Sequence, residues 1–307
     1  MRLAAIGECM LEAATGQSFF SNAMAFGFGG DTLNTAIYMA RALARDHRPS
    51  VSYVTALGDD LCSDALVDAW RAEGIDDKLI FRLPGQLPGF YLIHNNDQGE
   101  RQFFYWREQA AARSLLNDGR DQLIIKELSG YDLVYLSGIT LAILAQVDCT
   151  AVTKLLFELA AQGNRIAFDP NFRPVLWTDA DAARKAYQEI SPALDFCLPT
   201  FDDEHDLFGD PDPTATASRW QSWGVSEVVV KQGGDAALIA TSTESLSSAP
   251  ARVKHVVDTT AAGDAFNGTY LVRRLLGDKP IAAADKSHTV AAQVIQHKGA
   301  IVPRLRL

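Results

Sequence analysis

Cysteine is scarce and scattered. Four of the 307 residues are cysteines (Cys9, Cys62, Cys149, Cys197), with no Cys-x-x-Cys and no histidine at ligand spacing nearby. An evident zinc site is therefore excluded, and reduced thiols in a cytoplasmic chain are expected. Long hydrophobic runs are missing as well. No stretch reaches the roughly 18 uncharged apolar residues of a membrane span. Glu8 and Glu12 break the apolar amino end, and no basic segment with a cleavage site frames it, so a secretory signal is not expected. Basic residues are outnumbered, with 28 Lys plus Arg against 38 Asp plus Glu, a net charge of −10. An acidic chain without a Lys/Arg-clustered helix is a poor partner for nucleic acid or an anionic membrane surface. The six histidines show no ligand spacing, and neither a fixed-period repeat nor a low-complexity tract occurs.

What is present is globular in composition: 48% hydrophobic and 21% charged residues, enough for a sizeable core. At about 150 residues per domain, the length allows two domains or one large α/β domain. Short β-rich runs alternate with longer helical patterns. Strands are expected at 3–6, 51–57, 133–136, 165–168, 196–198, 227–230 and 236–240, most of them apolar throughout. Helices are expected at 32–45, 63–73, 180–190, 214–223, 263–276 and 281–297. The clearest helical stripe, Val152, Leu155, Leu156, Leu159 and Ala160, starts near Asp148 as N-cap and stops at Gly163. This alternation implies an α/β, doubly wound, mostly parallel sheet flanked by helices. Ligands in such sheets bind beyond the carboxyl ends of the strands.

One region breaks the pattern. The aromatic runs 89–95 and 100–107, joined by Asn-Asp-Gln-Gly at 96–99, read as a hairpin. With 9–13 and 19–28 it is expected to make a small separate sheet whose aromatics need cover, from substrate below or a second subunit above. The expectation is one domain over 1–307 with a β-sheet lid built from about 9–28 and 88–108.

The segment Asp-Thr-Thr-Ala-Ala-Gly-Asp-Ala-Phe at 258–266 carries the strongest chemistry. It follows a β-type run, 253–257, and opens a helix with Phe266, Tyr270 and Leu271 on its apolar side. Ala261, Ala262 and Gly263 are small enough for close approach of a ligand, and amides at a helix start attract anions. Asp264, in the first turn, would accept a proton from an alcohol attacking a phosphate held there. The structural alternative is a packed helix start with an acidic residue favoured by the dipole. Gly27-Phe28-Gly29-Gly30-Asp31 is no dinucleotide fingerprint, because Asn34 follows where the spacing demands glycine. It reads as a glycine turn into a helix, with Asp31 as cap and Asn34 facing substrate hydroxyls. Residues 230–235 join two strands as a hairpin turn, and Trp70, Trp177, Trp220 and Trp223 read as packing residues.

The segment at 258–266 resembles the carboxyl-terminal signature of the ribokinase-like (PfkB-type) carbohydrate kinases. The resemblance covers nearly the whole chain, including Gly-Gly-Asp-Thr-Leu-Asn at 29–34, Thr-Ala-Leu-Gly at 55–58, and Val-Val-Val-Lys at 228–231 followed by Gly233. It implies an α/β kinase with a β-sheet lid, using ATP and Mg2+ to phosphorylate a sugar hydroxyl. Leu-Pro-Gly-Phe-Tyr at 87–91, Gly-Glu-Arg at 99–101, Tyr-Trp-Arg at 105–107 and Asn-Phe-Arg-Pro at 171–174 are similar to the 2-keto-3-deoxygluconate kinase branch, as are 7–10 and 135–139. The resemblance implies that Gly30, Asn34, Tyr91, Tyr105, Arg107 and Arg173 contact an open or cyclic keto-deoxy acid, with Asp264 as base for its terminal hydroxyl. It places Asn171, Thr200, Lys231, Gly233 and Gly263 on the nucleotide, with the 281–297 helix, Gly299 and Ala300 flanking adenine. It also allows a monovalent cation near Asp258 and a homo-oligomer formed through the lid.

Part of this agrees with plain chemistry. A planar guanidinium binds a carboxylate bidentately, so Arg107 and Arg173 converging from opposite sides would select a sugar acid over a neutral hexose. Their bland alternatives are pairing of Arg107 with Glu100 or Glu108, and Arg173 as a loop cation before Pro174. The family's magnesium motif Asn-x-x-Glu is departed from twice, since Thr200 and Asp203 occupy those positions. Asp203 or its neighbour Glu204 would hold the hydrated ion; an acidic helix start is the alternative.

Overall fold

The apolar runs become the middle of a nine-stranded sheet, and the aromatic runs a second sheet of four strands. The structure, a computed structural model, describes residues 1–15, 24–43, 50–95 and 101–304. In chain order come β1 (Leu3–Ile6), β2 (Met10–Ala14), β3 (Ala25–Gly29), α1 (Asp31–Ala42), β4 (Val51–Leu57), α2 (Leu61–Ala72), β5 (Ile80–Arg82), β6 (Gly89–Asn95) and β7 (Arg101–Trp106). They are followed by α3 (Arg120–Leu128), β8 (Leu133–Ser137), α4 (Gly138–Ala161), β9 (Arg165–Asp169), α5 (Ala180–Ile190), β10 (Phe196–Cys197), α6 (Phe201–Phe208) and α7 (Pro213–Ser222). The chain then forms β11 (Glu227–Val230), β12 (Ala237–Thr241), β13 (Ser245–Ser248), α8 (Ala262–Leu275) and α9 (Pro280–Val294).

The large sheet runs β13-β12-β11-β10-β9-β8-β1-β4-β5. From β11 to β5 every neighbouring pair is parallel, while β12 and β13 add an antiparallel edge. Strands β1, β4 and β8 are buried along their whole length, as a sheet covered on both faces requires. Alternate side chains divide between two cores. Ile6, Val54 and Val134 pack with Ile124, Leu155 and Tyr187 of α3, α4 and α5, whereas Leu3, Tyr53 and Tyr135 pack with Leu33, Trp70 and Tyr270 of α1, α2 and α8. Helices α1 and α8 come close enough that a side chain at Gly268 would meet the Thr35 carbonyl at 2.6 Å. That contact sets the amino ends of α1 and α8 side by side above the carboxyl ends of the strands.

The small sheet has the order β3-β2-β6-β7, with β2 antiparallel to β3, parallel to β6, and β6 antiparallel to β7. Its aromatics are largely uncovered: Phe26, Phe103, Phe104, Tyr105 and Trp106 are all exposed. The linking segment 96–99 and residues 19–23 lie outside the described residues.

Three sequence expectations change. The helix placed near Asp148 starts instead at Gly138, where Ser137 caps it by accepting the Thr140 N–H. Residues 253–257 form no strand: the N–H groups of Val257 and Asp258 bond the Ile295 carbonyl, and Val256 and Val257 are exposed. Asp31 is not the cap of α1. Gly30 holds that position, and Asp31 is the first helical residue. Among the described residues no helix is long and apolar enough to cross a membrane.

Candidate active site

The residues after β9, β10 and β11 meet the first turn of α8. Asp169, the last residue of β9, is buried. Its Oδ2 accepts from Lys231 Nζ at 2.9 Å and from Asn267 Nδ2 at 2.6 Å, and its Oδ1 accepts the Asn171 N–H at 3.2 Å. One carboxylate therefore fastens the end of β9 to Lys231, which follows β11, and to α8. Lys231 also forms a parallel bridge with Thr200, the residue at the start of α6. Buried charges survive only when paired and hydrogen-bonded in this way.

Helix α8 opens on a strained residue. Ala261 is its N-cap with φ 60°, in the left-handed region, at a cost of about 1–2 kcal/mol for a residue with a side chain. The bend is held by Asp258, whose Oδ1 accepts from the Thr260 N–H at 3.0 Å and its hydroxyl at 2.7 Å, and whose Oδ2 accepts the Gly299 N–H at 2.9 Å. Of the small-residue amides proposed for anion binding, that of Ala262 bonds the Thr259 carbonyl at 3.2 Å. Gly263 and Asp264 stand in the first turn, where N–H groups lack intrahelical acceptors. A side chain at Gly263 would lie 3.6 Å from Lys231 Nζ, so the ammonium sits directly beside this turn.

Asp264 is the centre of an acidic cluster. Its Oδ2 accepts from Asn34 Nδ2 of α1 at 2.9 Å. Burial and the neighbouring Asp31 and Asp169 carboxylates push its carboxyl up to about 8, against the opposing pull of the Asn34 bond and the Lys231 charge. Asp31 accepts from Asn171 Nδ2 at 2.7 Å as well as from the Thr32 N–H at 2.8 Å. Asn171 has φ 36°, also left-handed. Two strained residues, Ala261 and Asn171, thus flank the same carboxylates, as strain at functional sites does.

The small sheet contributes from the other side. Arg107 donates through Nη2 to Glu8 Oε2 in a buried pair, rather than to the described Glu108; Glu100 lies outside the described residues. Burial raises the Glu8 carboxyl, while Arg107 and Arg113 pull it down. Tyr91 donates its hydroxyl to Glu12, its register partner on β2, and burial together with that carboxylate pushes the phenol well up. Tyr105 lies opposite Tyr91 with ring centroids 5.9 Å apart. A side chain at Gly30 would overlap the Glu8 carbonyl, which is why glycine is needed there.

Arg173 is half exposed. Its Nη1 donates to the Phe172 carbonyl at 2.7 Å and approaches the Asp203 oxygens at 3.3 and 3.4 Å. Arg107 and Arg173 therefore rest on different carboxylates, and no bond among the described residues joins them. Asp203 feels both Asp169 and Lys231, and burial raises its carboxyl. Glu204 does not share that cluster. It is fully buried against Arg219 at 2.5 Å and Trp220 Nε1 at 2.9 Å, with its carboxyl pushed up to about 7 chiefly by burial. The structure thus turns Glu204 inward, away from any ion beside Asp203. Gly233 takes a left-handed turn, φ 58°, between β11 and β12 with open space around it.

Sequence reasoning missed Asp169, Asn267, Glu8 and Glu12, and undervalued Asp31. The position of Asp169 immediately after an apolar strand was the one available signal. Among the described residues no three acidic, His or Cys side chains gather to cage a metal.

A carboxylate in the first turn of a helix, beside a buried lysine at the carboxyl ends of parallel strands, is equipment for moving a proton next to a bound phosphate. The class defined is a phosphoryl-transfer α/β enzyme. The chain belongs to the pfkB family of carbohydrate kinases, whose model matches residues 2–306. It is 41% identical over 306 residues to the 2-dehydro-3-deoxygluconokinase of Escherichia coli strain K12, covering 99% of this chain and 97% of that protein. Its fold is similar to that of a PfkB protein from Polaromonas sp. JS666, with TM-score 0.85, 25% identity and 96% of each chain covered. An Escherichia coli structure described as a ribokinase II in complex with ATP and magnesium has TM-score 0.83 at 24% identity, covering 97% of this chain and 94% of that one.

Proposed function

We propose that the protein transfers the terminal phosphoryl group of ATP to 2-keto-3-deoxy-D-gluconate, forming the 6-phosphate, in the cytoplasm. In this reading residues 1–307 are one kinase domain and the small sheet is its lid. The observation that carries the chemistry is Asp264 in the first turn of α8, bonded by Asn34 and flanked by Lys231. The full-length identity to the Escherichia coli enzyme supports the substrate.

Asp264 takes the proton from the terminal hydroxyl of the sugar acid. The first-turn N–H groups at Gly263 and Asp264 and the Lys231 ammonium offset charge on the transferred group. Gly30, Asn34, Tyr91, Tyr105 and Arg107 hold the sugar acid, and Arg173 reaches it from the rim. Asn171, Thr200, Lys231, Gly233 and Gly263 border the nucleotide, whose triphosphate suits a turn with a glycine, unpaired first-turn amides and an adjacent ammonium. The donor set suits magnesium held largely through water and phosphate, because Asp203 offers a partly exposed carboxylate whereas Asp169 is already committed to protein donors. Magnesium, when bound, supplies neutralisation of phosphate charge. A monovalent cation beside Asp258 would share oxygens that already accept from Thr260 and Gly299. The exposed aromatics of β7 suit a second copy of the chain, giving a homo-oligomer through the lid.

A substrate panel with ATP, magnesium and coupled ADP detection tests the reading. The expected result is a kcat/KM for the keto-deoxy acid far above those for fructose, ribose and the galacto epimer. Preference for a neutral sugar would overturn the substrate, and no ADP release with any sugar would overturn the reaction.

A further inference from the structure

The small sheet is attached by chain crossings, and one buried ion pair ties two of them together. Glu8 lies between β1 and β2, where the chain leaves the large sheet, and Arg107 follows β7, where it starts back. The two side chains are 1% and 11% exposed, and they are 99 residues apart in sequence. The Glu8 carboxylate also fills the space against β6, since a side chain at Gly89 would lie 2.8 Å from its Oε1. Its backbone carbonyl faces Gly30, at the exit of β3. Three strand ends of the small sheet therefore close around one residue. The charges of Arg113 and Asp31 reach it too, and Asp31 also acts on Asp264.

The pair is one-armed. Glu8 Oε1 and Arg107 Nε are both enclosed and have no hydrogen-bond partner among the described residues. Enclosed polar atoms left unpaired are costly, so this guanidinium is anchored without being saturated. A planar guanidinium held at Nη2, with its Nε enclosed, keeps only the remaining N–H donors of its terminal nitrogens for a second carboxylate.

We propose that Glu8 is a positioning residue, which holds Arg107 by Nη2 so that the rest of its guanidinium is aimed at the carboxylate of the sugar acid, and so couples the seating of the lid to an anionic substrate. This rests on the function proposed above. Without Glu8 the long arginine side chain regains rotamer freedom, and substrate must spend binding energy on ordering it. A neutral sugar has no carboxylate to exploit the alignment, so the loss falls on the sugar acid alone.

Steady-state kinetics of the wild type, Glu8→Gln, Arg107→Ala and the double variant test this. Glu8→Gln is expected to raise KM for the keto-deoxy acid about tenfold, leaving kcat and the KM for ATP within about twofold. Adding Glu8→Gln to Arg107→Ala should change that KM by less than about twofold, because both act through one guanidinium. Glu8→Asp keeps the charge but withdraws it by one methylene, and should shift KM in the same direction. It carries the test if Glu8→Gln does not fold. An unchanged KM in both Glu8 variants, or fully additive effects in the double variant, overturns the positioning role while leaving the kinase reading intact. Failure of the wild type to use the keto acid overturns the substrate reading and this role with it.

Discussion

The two sides of the site are built differently. On the large-sheet side, functional groups sit at or just beyond the ends of parallel strands or in the first two turns of α1 and α8, so the backbone itself aims them. Asp169, Lys231, Asn267, Asn34 and Asp264 then lock into direct bonds of 2.6–2.9 Å. On the small-sheet side, Arg107 and Tyr91 are long side chains on or beside short strands, and each is held by a buried or partly buried carboxylate, Glu8 or Glu12. In the proposed reading, topology organises the phosphoryl chemistry, whereas side-chain pairing organises substrate recognition. The large-sheet side should therefore fail in turnover when altered, and the small-sheet side in binding, discrimination and local stability.

The largest expected effect is on the first side. Asp264→Asn should lower kcat by about 10²–10⁴-fold, the scale of a lost general base. The folded chain holds the Asp264 proton up to about 8 against an ordinary value of 3.8, so the charged form costs stability at neutral pH. Asparagine removes that cost, and thermal unfolding of the variant should occur at the same temperature or higher. Near-normal turnover would break the contrast.

Next is Arg107→Ala. It leaves Glu8 enclosed without its main cation, and removing one partner of a buried pair costs about 3–5 kcal/mol. Uptake of a proton by Glu8, already favoured by burial, trims the loss toward the lower figure. Denaturant unfolding reads it, and the ratio of kcat/KM for the keto acid to that for fructose should fall alongside. Unchanged discrimination would show that the guanidinium is structural only.

A smaller effect sharpens the electrostatics of the first side. Asp31 and Asp169 raise the Asp264 carboxyl, and Lys231 and Asn34 lower it. The rising limb of kcat/KM with pH should therefore lie near 8 in the wild-type protein and move to lower pH in Asp31→Asn, where one like charge is gone. A limb that stays put would exclude Asp264 as its origin. The smallest effect belongs to Arg173→Ala. Its side chain is 48% exposed and its contacts with Asp203 are long, so the change in stability should stay below about 1 kcal/mol by denaturant unfolding.

What the sequence disclosed follows the same division. Strand Val51–Leu57 and helix Ala180–Ile190 carry patterns that burial alone produces, and both were placed to the residue. The first-turn Asp264 was legible because small residues before an acidic one at a helix start have few structural uses. Asp148 misled because a capping residue type falls inside a long helix whose first turns are as apolar as a strand. Residues 253–257 misled through their β-branched side chains, which find no strand to pair with. Glu8 and Glu12 read only as interruptions of an apolar run, since their partners lie 99 and 79 residues away. Glu204 read as a possible holder of hydrated magnesium because Arg219, which draws it inward, belongs to the next helix.

A structure of the ternary complex with a non-transferable ATP analogue, magnesium and the keto-deoxy acid tests the central claim most directly. The terminal hydroxyl oxygen should lie within about 2.6–3.2 Å of an Asp264 oxygen, with the outermost phosphate against the first turn of α8. A hydroxyl out of reach of Asp264, or a triphosphate bound away from that turn, would contradict it.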